Sequence, residues 1–328
     1  MTSSASIKTI SAPVTSELDK LDVFMREQMR TRTALLDTVV RYIMRQRGKR
    51  VRPTLVFLTA GMTGGITERA YIGAAMVELL HTATLVHDDV VDQSEERRGV
   101  ASINAVWKNK VAVLVGDYLL SRGLLMAVKN DEFDFLKVTS EAVRRMSEGE
   151  LLQIQKSRQK TIDEETYFKI ISDKTASLIS TCCEIGAISA TYDPEIRNTM
   201  NQYGELVGLA FQIRDDVLDY TSKTSILGKP VGNDIKDQKI TLPLIYACAT
   251  APPADGRAIV RMIKGKKPTR VEIDKVMRFV ERYKGIEAAQ DKAMELQQQA
   301  VQLLVNMPQS VYKTSLIDFA NFVVDRTS

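Results

Sequence analysis

The sequence AYIGAAMVELLHTATLVHDDVVD, residues 70–92, carries the clearest structural pattern in the chain. Apolar residues recur in it at three- and four-residue spacing, which is the period of one face of an α-helix. The same period returns in stretches 18–42, 110–128, 135–154, 167–190, 196–220, 271–279 and 286–304. Strand-like alternation beside hairpin-turn dipeptides is absent from the sequence. The pattern therefore predicts an all-α protein.

Composition excludes several classes of protein. The 328 residues are 44% hydrophobic and 26% charged, which is typical of a globular protein with a large core. The near balance of 45 Lys and Arg with 41 Asp and Glu argues against a dedicated nucleic-acid binder. Three cysteines, two of them adjacent, make neither a disulfide framework nor a zinc site, so we expect a reducing, cytoplasmic setting. No apolar run reaches the roughly 18–20 residues of a membrane span, and the first residues lack the apolar core of a signal peptide.

Turn-forming residues divide the helical stretches. Breaks are expected at 48–53, 61–65, 193–194, 228–232, 252–256 and 265–268. The Ser- and Thr-rich residues 1–16 are expected to fray, and residues 264–267 to form a solvated loop. Because the spacers between helices are short, residues 17–328 are expected to form one domain.

Two aspartate clusters each end a long helical stretch. They are Asp88-Asp89 with Asp92, and Asp215-Asp216 with Asp219. In each cluster the outer aspartates are four residues apart and lie on one helix face, where like charges and the helix dipole both destabilise the helix. One such cluster is also compatible with a solvated acidic helix end. Two of them, each beside apolar residues, indicate a bound cation such as Mg²⁺.

Basic residues accompany the carboxylates. They are Lys49 and Arg52 near a helix junction, Arg97 and Arg98 after the first cluster, and Lys174, Lys229 and Lys239 further on. A diphosphate suits this combination, since it bridges metal ions and matches the arginine fork. The alternative for residues 41–52 is a solvated basic face or a nucleic-acid patch, but aromatic residues there are too sparse for base stacking.

Six motifs occur in order between residues 48 and 247 of the chain. They are GKRVRP (48–53), ELLHTATLVHDDVVDQSEERRG (78–99), GDYLLSRG (116–123), DKTASL (173–178), GLAFQIRDDVLDY (208–220) and GKPVGNDIKDQKITLPLIYA (228–247). Together they resemble the trans-prenyltransferases, or polyprenyl diphosphate synthases, in particular the long-chain octaprenyl type.

This resemblance implies a single-domain isoprenoid-synthase-type helical bundle around a central apolar cavity, with both aspartate clusters at its mouth. It implies head-to-tail condensation of isopentenyl diphosphate with an allylic diphosphate primer, by ionisation, condensation and elimination, with three Mg²⁺ ions per site. It also implies a homodimer that needs no nucleic acid and has no membrane span, although the product can bring it to a membrane surface.

The resemblance also implies roles for individual residues. Asp88, Asp92, Asp215 and Asp219 would hold the metal, and Arg97, Lys174, Lys229 and Lys239 would bind the allylic diphosphate. Lys49, Arg52, His81 and Arg98 would bind isopentenyl diphosphate, and Thr175 and Gln212 would lie beside the reacting carbons. Helix geometry independently places His81 and Thr84 on the face of Asp88 and Asp92, although a lone histidine on an apolar helix is often a core residue.

Product length in the family depends on residues just before the first cluster, where bulky aromatics close the cavity. Here Ala83 and Thr84 stand at those positions and are small. We therefore expect a long-chain all-trans product of about C30–C50, such as a quinone side chain. Small residues also favour close helix packing, and a residue from another helix could end growth earlier.

Four alternatives remain to be separated. A terpene cyclase shares the fold and the first cluster, but it normally lacks the second aspartate cluster and the Gly-Lys-x-x-Arg-Pro group. The catalytic subunit of a two-component synthase and a shorter-chain (C15–C20) synthase carry the same motifs. An inactive regulatory or scaffold paralogue would lose metal aspartates, whereas this chain keeps all six.

Overall fold

The structure, a computed structural model, describes residues 6–46, 48–97, 99–157, 163–221, 232–265 and 267–326. These residues are almost entirely helical, which confirms the all-α prediction. The helices are α1 Ile7–Ile10, α2 Thr15–Gln28, α3 Ala34–Arg45, α4 Val51–Thr63, α5 Glu68–Val91, α6 Ile103–Lys129, α7 Phe133–Ser157, α8 Glu164–Ile171, α9 Ser177–Ala190, α10 Pro194–Thr221, α11 Asn233–Lys236, α12 Leu242–Thr250, α13 Pro253–Gly265, α14 Arg270–Arg282, α15 Gly285–Leu303 and α16 Val311–Asp325.

Shorter elements also occur between these helices in the described part of the chain. Ala12–Val14 forms a 3₁₀ turn, and Ser172–Ala176 forms a π-helical turn between α8 and α9. Strands β1 Glu96–Arg97 and β2 Val100–Ala101, each two residues long, pair antiparallel in a hairpin just after the first aspartate cluster. The sequence pattern did not predict this hairpin, because two-residue strands are too short to show an alternation.

Helix α9 lies at the centre of the bundle. All but two of its residues, Glu184 and Ala190, are buried, and it packs against α4, α5, α7 and α10. A helix that is apolar around its whole circumference is expected to be surrounded by other helices. Helix α10 lies between α9 and α15, and α5 packs against α4, α6 and α9. The two helices that carry the aspartate clusters, α5 and α10, therefore flank α9.

The N-terminal residues differ from the sequence expectation. Residues 6–16 were expected to fray, but Ile10 and Val14 are 1% and 0% exposed and belong to the main core. Their apolar side chains anchor α1 and the 3₁₀ turn against α16, α2 and α4. For residues 6–16 the expectation was wrong, because tertiary packing outweighs the polar local composition. Residues 1–5 lie outside the described part.

Several predicted helix boundaries also shift. The stretch 18–42 is interrupted between α2 and α3, and the stretch 167–190 contains the π-helical turn. Helices α4 and α13 begin inside the predicted breaks 48–53 and 252–256, because proline is tolerated in the first turn of a helix. Residue Lys264, assigned from the sequence to a solvated loop, lies in the last turn of α13.

Helix α6 is the one described helix whose length and apolar composition would allow it to cross a membrane. Core helices of water-soluble proteins often have the same composition, and 39% of the apolar window of α6 is buried in the bundle. Its inner face packs closely along α5, where the Cα of Gly116 lies beside the ring of His87. The Nε2 of His87 lies 3.2 Å from the carbonyl oxygen of Val113 on α6.

Candidate active site

The first aspartate cluster lies at the C-terminal end of α5. Asp92 caps the helix, with its backbone N–H donating to the carbonyl oxygen of Asp88 at 2.8 Å. Loss of hydration raises the pKa of Asp88 above its usual value, and the negative charges of Glu150 and Asp92 add to this effect. The positive charges of Lys174 and Arg97 act in the opposite direction. Asp88 is therefore a carboxylate that a nearby cation would stabilise.

The middle aspartate, Asp89, holds Arg97. Asp89 is 3% exposed, and its Oδ1 accepts a hydrogen bond from Nε of Arg97 at 2.8 Å and lies 2.7 Å from Nη2 of the same guanidinium. This ion pair ties the β1–β2 hairpin to the end of α5. The sequence assigned Arg97 to the allylic diphosphate, and the structure places its guanidinium on the wall beside Asp88. Arg98 lies outside the described residues.

The second cluster lies near the C-terminal end of α10, and its three carboxylates have different surroundings. Asp216 is 5% exposed and accepts hydrogen bonds from Tyr167 Oη at 2.7 Å and Gln212 Nε2 at 2.9 Å. Burial, followed by the negative charge of Asp234, raises the pKa of Asp216 to about 7. Asp219 accepts the backbone N–H groups of Asn233 and Asp234 at 3.1 and 3.0 Å, which fixes its carboxylate at the start of α11.

Asp215 binds an arginine from the other end of the chain. Arg326, which directly follows α16, donates to Asp215 Oδ1 and to the carbonyl oxygen of Phe211, and its guanidinium stacks on the Phe211 ring at 3.9 Å. Burial raises the pKa of Asp215, whereas Arg326 and Lys49 lower it. The sequence gave no indication of this contact, because the two residues are 111 positions apart.

A polar chain connects the two clusters. Lys174 in the π-helical turn interacts with Asp88 and lies 2.5 Å from Glu150 Oε2. The next residue, Thr175, lies 2.9 Å from Gln212 through its Oγ1, and Gln212 in turn donates to Asp216. Lys174, Thr175, Gln212 and Asp216 all line one pocket of about 200 Å³. The structure thus brings together residues that are widely separated in the sequence.

The same pocket contains both a further predicted residue and residues that sequence reasoning did not select. Lys239 was predicted, and it lies in the pocket with its Nζ 3.3 Å from Asp234 Oδ1. Gln153, Tyr167 and Lys264 were not predicted. The three-residue spacing of Glu150 and Gln153 places both on one face of α7 and is the only local signal for them. Lys264 lies on a distant helix, and no local sequence pattern indicates that it reaches the pocket. Lys229 lies outside the described residues.

The predicted isopentenyl diphosphate residues are distributed over α4, α5 and the segment before α4. Lys49 lies close enough to the second cluster to lower the pKa of Asp215. Arg50, whose φ of 50° lies in the left-handed region, turns away and donates to the carbonyl oxygen of Leu18 at 3.2 Å. Arg52 in the first turn of α4 and His81 on α5 are both partly buried, on helices that pack against each other.

The predicted chain-length positions lie on α5 below Asp88. Ala83 is fully buried and Thr84 is half-buried, with its hydroxyl donating to the carbonyl oxygen of His81 at 2.8 Å. Further down the same helix, a Cβ at Gly73 would lie 3.5 Å from the ring of Phe135. Phe135, on α7, is fully buried. From Asp88 to Gly73 the helix rises about 22 Å.

The carboxylates suit magnesium in their chemistry. Within the described residues, no group of three or more Asp, Glu, His or Cys side chains is arranged to hold a metal on its own. Mg²⁺ is usually bound by one or two carboxylates together with water and substrate phosphates, which matches aspartates that occur in pairs and leave room for other ligands. Asp88 and Asp92 fit this role directly, and Asp215 fits it once Arg326 moves away.

Curated relatives match nearly the whole chain. A protein of Rhodobacter capsulatus described as an all-trans-nonaprenyl-diphosphate synthase (geranyl-diphosphate specific) is 37% identical over 97% of each chain. Heptaprenyl diphosphate synthase component 2 of Bacillus subtilis is 33% identical over 94% of this chain and 88% of its own.

Solved structures and a family model give the same assignment. A decaprenyl diphosphate synthase of Rhodobacter capsulatus superposes with a TM-score of 0.91 at 32% identity, covering 98% of this chain and 100% of that one. A polyprenyl synthase of Caulobacter crescentus, solved with calcium and isoprenyl diphosphate, has a TM-score of 0.90 at 31% identity over the whole of both chains. The family model of the polyprenyl synthetases matches residues 33–280. The chain therefore belongs to the polyprenyl synthetase family of prenyltransferases.

Proposed function

We propose that this protein condenses isopentenyl diphosphate head-to-tail with an allylic diphosphate to give a long-chain all-trans polyprenyl diphosphate. The observation that carries this proposal is the polar chain from Lys174 through Thr175 and Gln212 to Asp216. It runs along one pocket from Lys174, whose charge lowers the pKa of Asp88 in the first cluster, to Asp216 in the second. A metal-bound diphosphate held between the clusters would lie next to the carbon that it leaves. We take residues 17–328 as a single catalytic domain.

The basic residues would stabilise the charge that develops on the leaving diphosphate. Lys174 and Lys239 line the pocket, and Arg97 is held beside Asp88 by Asp89. Fixed cations aimed at developing negative charge usually supply the largest part of catalysis, because they need no reorganisation during the reaction. Mg²⁺, which we take to number three ions per site, would neutralise the diphosphate oxygens when bound.

Thr175 and Gln212 would face the carbon centres. Their side chains lie 2.9 Å apart at the pocket wall, and both present oxygen atoms that can stabilise an allylic cation. Lys49, Arg52 and His81 would bind isopentenyl diphosphate, whose double bond attacks the cation. The released diphosphate would then accept the proton that is lost from the product.

A long product is supported by the small side chains beneath the first cluster. Ala83 and Thr84, the fifth and fourth residues before Asp88, are small, and fully buried Phe135 lies near Gly73 about 22 Å further down α5. A product of about C30–C50 fits this arrangement better than one of C15–C20. Quinone side chains are a use for such products.

We further propose that the enzyme is a homodimer. Leu114, Leu125 and Val128 on α6 are 58%, 47% and 49% exposed, and their spacing places them on one helix face. An apolar face of this kind is typical of a protein interface.

Cys182, Cys183 and Cys248 are free thiols, which suits a reducing cytoplasm. One relative is named as a component of a synthase, and this match is the observation in favour of the alternative function, a catalytic subunit that needs a small partner.

Turnover by the purified chain tests these proposals together. The protein is incubated with isopentenyl diphosphate, an allylic primer and Mg²⁺, and the products are identified by mass spectrometry. We expect C30–C50 polyprenyl diphosphates from the chain alone, and a loss of about 10²–10³-fold in kcat for Asp88→Asn. Products of C15–C20 would refute the long-chain assignment, and activity only with an added partner would support the two-component alternative. Activity that is unchanged in Asp88→Asn would refute the metal role of the first cluster.

A further inference from the structure

The π-helical turn Ser172–Ala176 carries two of the proposed active-site residues. Turns of this kind are rare, and they occur frequently at functional sites because the additional residue redirects the side chains of the helix. Here Lys174 Nζ contacts Glu150 at 2.5 Å, and Thr175 Oγ1 lies 2.9 Å from Gln212 Oε1. Helix propensity does not favour this conformation over a regular α-helix. The surrounding structure must therefore hold the turn in place.

Arg145 on α7 holds the turn without lining the pocket. Its Nε donates to Asp173 Oδ1 at 2.9 Å, and its Nη2 donates to Ser172 Oγ at 2.7 Å. The same guanidinium binds both carboxylate oxygens of Glu205 on α10, at 3.0 and 3.3 Å. One planar group thus connects two residues of the turn to the helix that carries the second aspartate cluster.

Of the charged groups around Arg145, Asp173 is shielded from solvent and Glu205 is partly buried. The side chain of Asp173 is 2% exposed, and besides Arg145 it contacts Lys169 Nζ at 2.8 Å. Ser172 Oγ also donates to Glu205 Oε1 at 2.5 Å, which closes the network. Charged groups that are buried in a fully satisfied network are expensive to disturb, because removal of one member leaves another carboxylate unpaired.

Helix α7 also approaches the backbone of the turn directly. A Cβ at Gly149 would lie 2.8 Å from the Cβ of Asp173 and 3.1 Å from the backbone nitrogen of Lys174. Gly149 lies one helical turn after Arg145 and directly before Glu150, which binds Lys174. Helix α7 therefore fixes the backbone of the turn with Arg145 and Gly149, and orients the Lys174 side chain with Glu150.

We propose that Arg145 is a positioning residue for prenyl transfer, which acts through Asp173, Ser172 and Glu205 to aim Lys174 and Thr175 at the substrate. This inference rests on the proposed function. Without the guanidinium, Asp173 and Glu205 lose the cation that they share, and the turn relaxes. The ammonium of Lys174 then no longer meets the leaving diphosphate in the correct geometry, whereas Lys49 and Arg52 remain in place for isopentenyl diphosphate.

The test compares Arg145→Met with Arg144→Met. Arg144 is the neighbouring residue on α7 and also has two carboxylate partners, Glu141 and Glu148, but these lie on the exposed surface. We expect Arg145→Met to lower kcat about 10²-fold, the usual cost of a misplacement of about 1 Å. The KM for isopentenyl diphosphate should stay within about twofold of the wild type, as should all constants of Arg144→Met. Arg145→Lys should restore part of kcat, since one ammonium cannot bridge three partners.

A double-mutant cycle separates positioning from a general loss of stability. Lys174→Ala should cost at least about fivefold less kcat in the Arg145→Met background than in the wild type, because Lys174 is already misplaced there. Equal costs in both backgrounds, or a wild-type kcat in Arg145→Met, would overturn the proposal. If Arg145→Met does not fold, Ser172→Ala removes two hydrogen bonds of the network, those with Arg145 and Glu205, and takes its place with the same expectations at smaller size.

Hydrogen exchange supplies a readout that does not depend on turnover. In Arg145→Met the amides of residues 172–176 should exchange at least about tenfold faster, with no such change in Arg144→Met. Unchanged exchange in this segment would refute the anchoring role. If the wild type and both variants form no prenyl product but exchange still increases as expected, the proposed function fails and the structural part of the inference stands.

Discussion

The metal-free protein should become more stable when Asp216 is replaced by asparagine. Asp216 is buried on α10 beside Asp215 and Asp234, and its pKa is about 7 instead of the usual 3.8. Between these two values the carboxyl is protonated in the folded protein and ionised in the unfolded chain. Folding therefore takes up a proton in this range, and stability falls as the pH rises through 7. The asparagine side chain has no charge to bury at any pH.

The size of the effect follows from the two pKa values. With about 1.4 kcal/mol for each tenfold change in proton affinity, keeping Asp216 protonated in the folded protein costs about 1–2 kcal/mol at pH 5, and burying its ionised form costs about 4–5 kcal/mol at pH 8. Tyr167 and Gln212 keep hydrogen-bond partners in Asp216→Asn, because the tyrosine hydroxyl can accept from the new amide. The advantage of the variant should therefore grow by about 3 kcal/mol over this pH range, which corresponds to about 4 °C in Tm for a chain of 328 residues.

The assay is thermal unfolding followed by circular dichroism, in EDTA and without substrate, from pH 5 to pH 8. Asp274→Asn, at an exposed carboxylate on α14, is the matched control and should show no pH-dependent difference. A Tm difference for Asp216→Asn that is independent of pH, or a variant that is less stable than the wild type at pH 8, would refute the reasoning. Either result would mean that the buried charge of Asp216 does not lower the free energy of unfolding of this protein.

Three further experiments with substituted proteins test the proposed product length and the proposed dimer. Phe135→Ala should lengthen the products, as measured by mass spectrometry. The control Phe133→Ala, at a 59% exposed position on the same helix, should leave product length unchanged. Equal lengths in both variants would exclude Phe135 as the residue that closes the cavity. Thr84→Phe should shorten the product toward C15–C20 in the same assay, and an unchanged length would mean that the tail does not pass this position. Leu114→Glu combined with Leu125→Glu should convert a dimer to a monomer in sedimentation velocity, and an intact dimer would exclude this face of α6 as the interface.

The sequence was sufficient for the helical architecture and for the two aspartate clusters. Both depend on local periodicity, since apolar residues three and four apart define buried helix faces and Asp88 and Asp92 share one turn. Lys174 and Gln212 were found because their motifs resemble those of a known family. Their convergence on one pocket depends on the packing of α9 between α5 and α10.

Features that depend on distant contacts could not be predicted. Arg326 reaches Asp215 from across the chain, and Arg145 meets Asp173 only after α7 and the π-helical turn have packed together. Arg97 was expected to bind substrate directly, and its ion pair with buried Asp89 depends on a hairpin too short to leave a pattern. In each case the side chain pairs with a carboxylate whose position is set by tertiary packing.

The central claim is that the two aspartate clusters hold metal ions around one diphosphate. Crystals of the protein grown with Mn²⁺ and a non-reactive allylic diphosphate analogue test it directly, because manganese is located by its anomalous scattering. We predict three metal sites that touch the diphosphate, with Asp88 and Asp92 as ligands on one side and Asp215, released from Arg326, on the other. Bound analogue without metal at these carboxylates, or manganese only at other surfaces of the protein, would contradict the account.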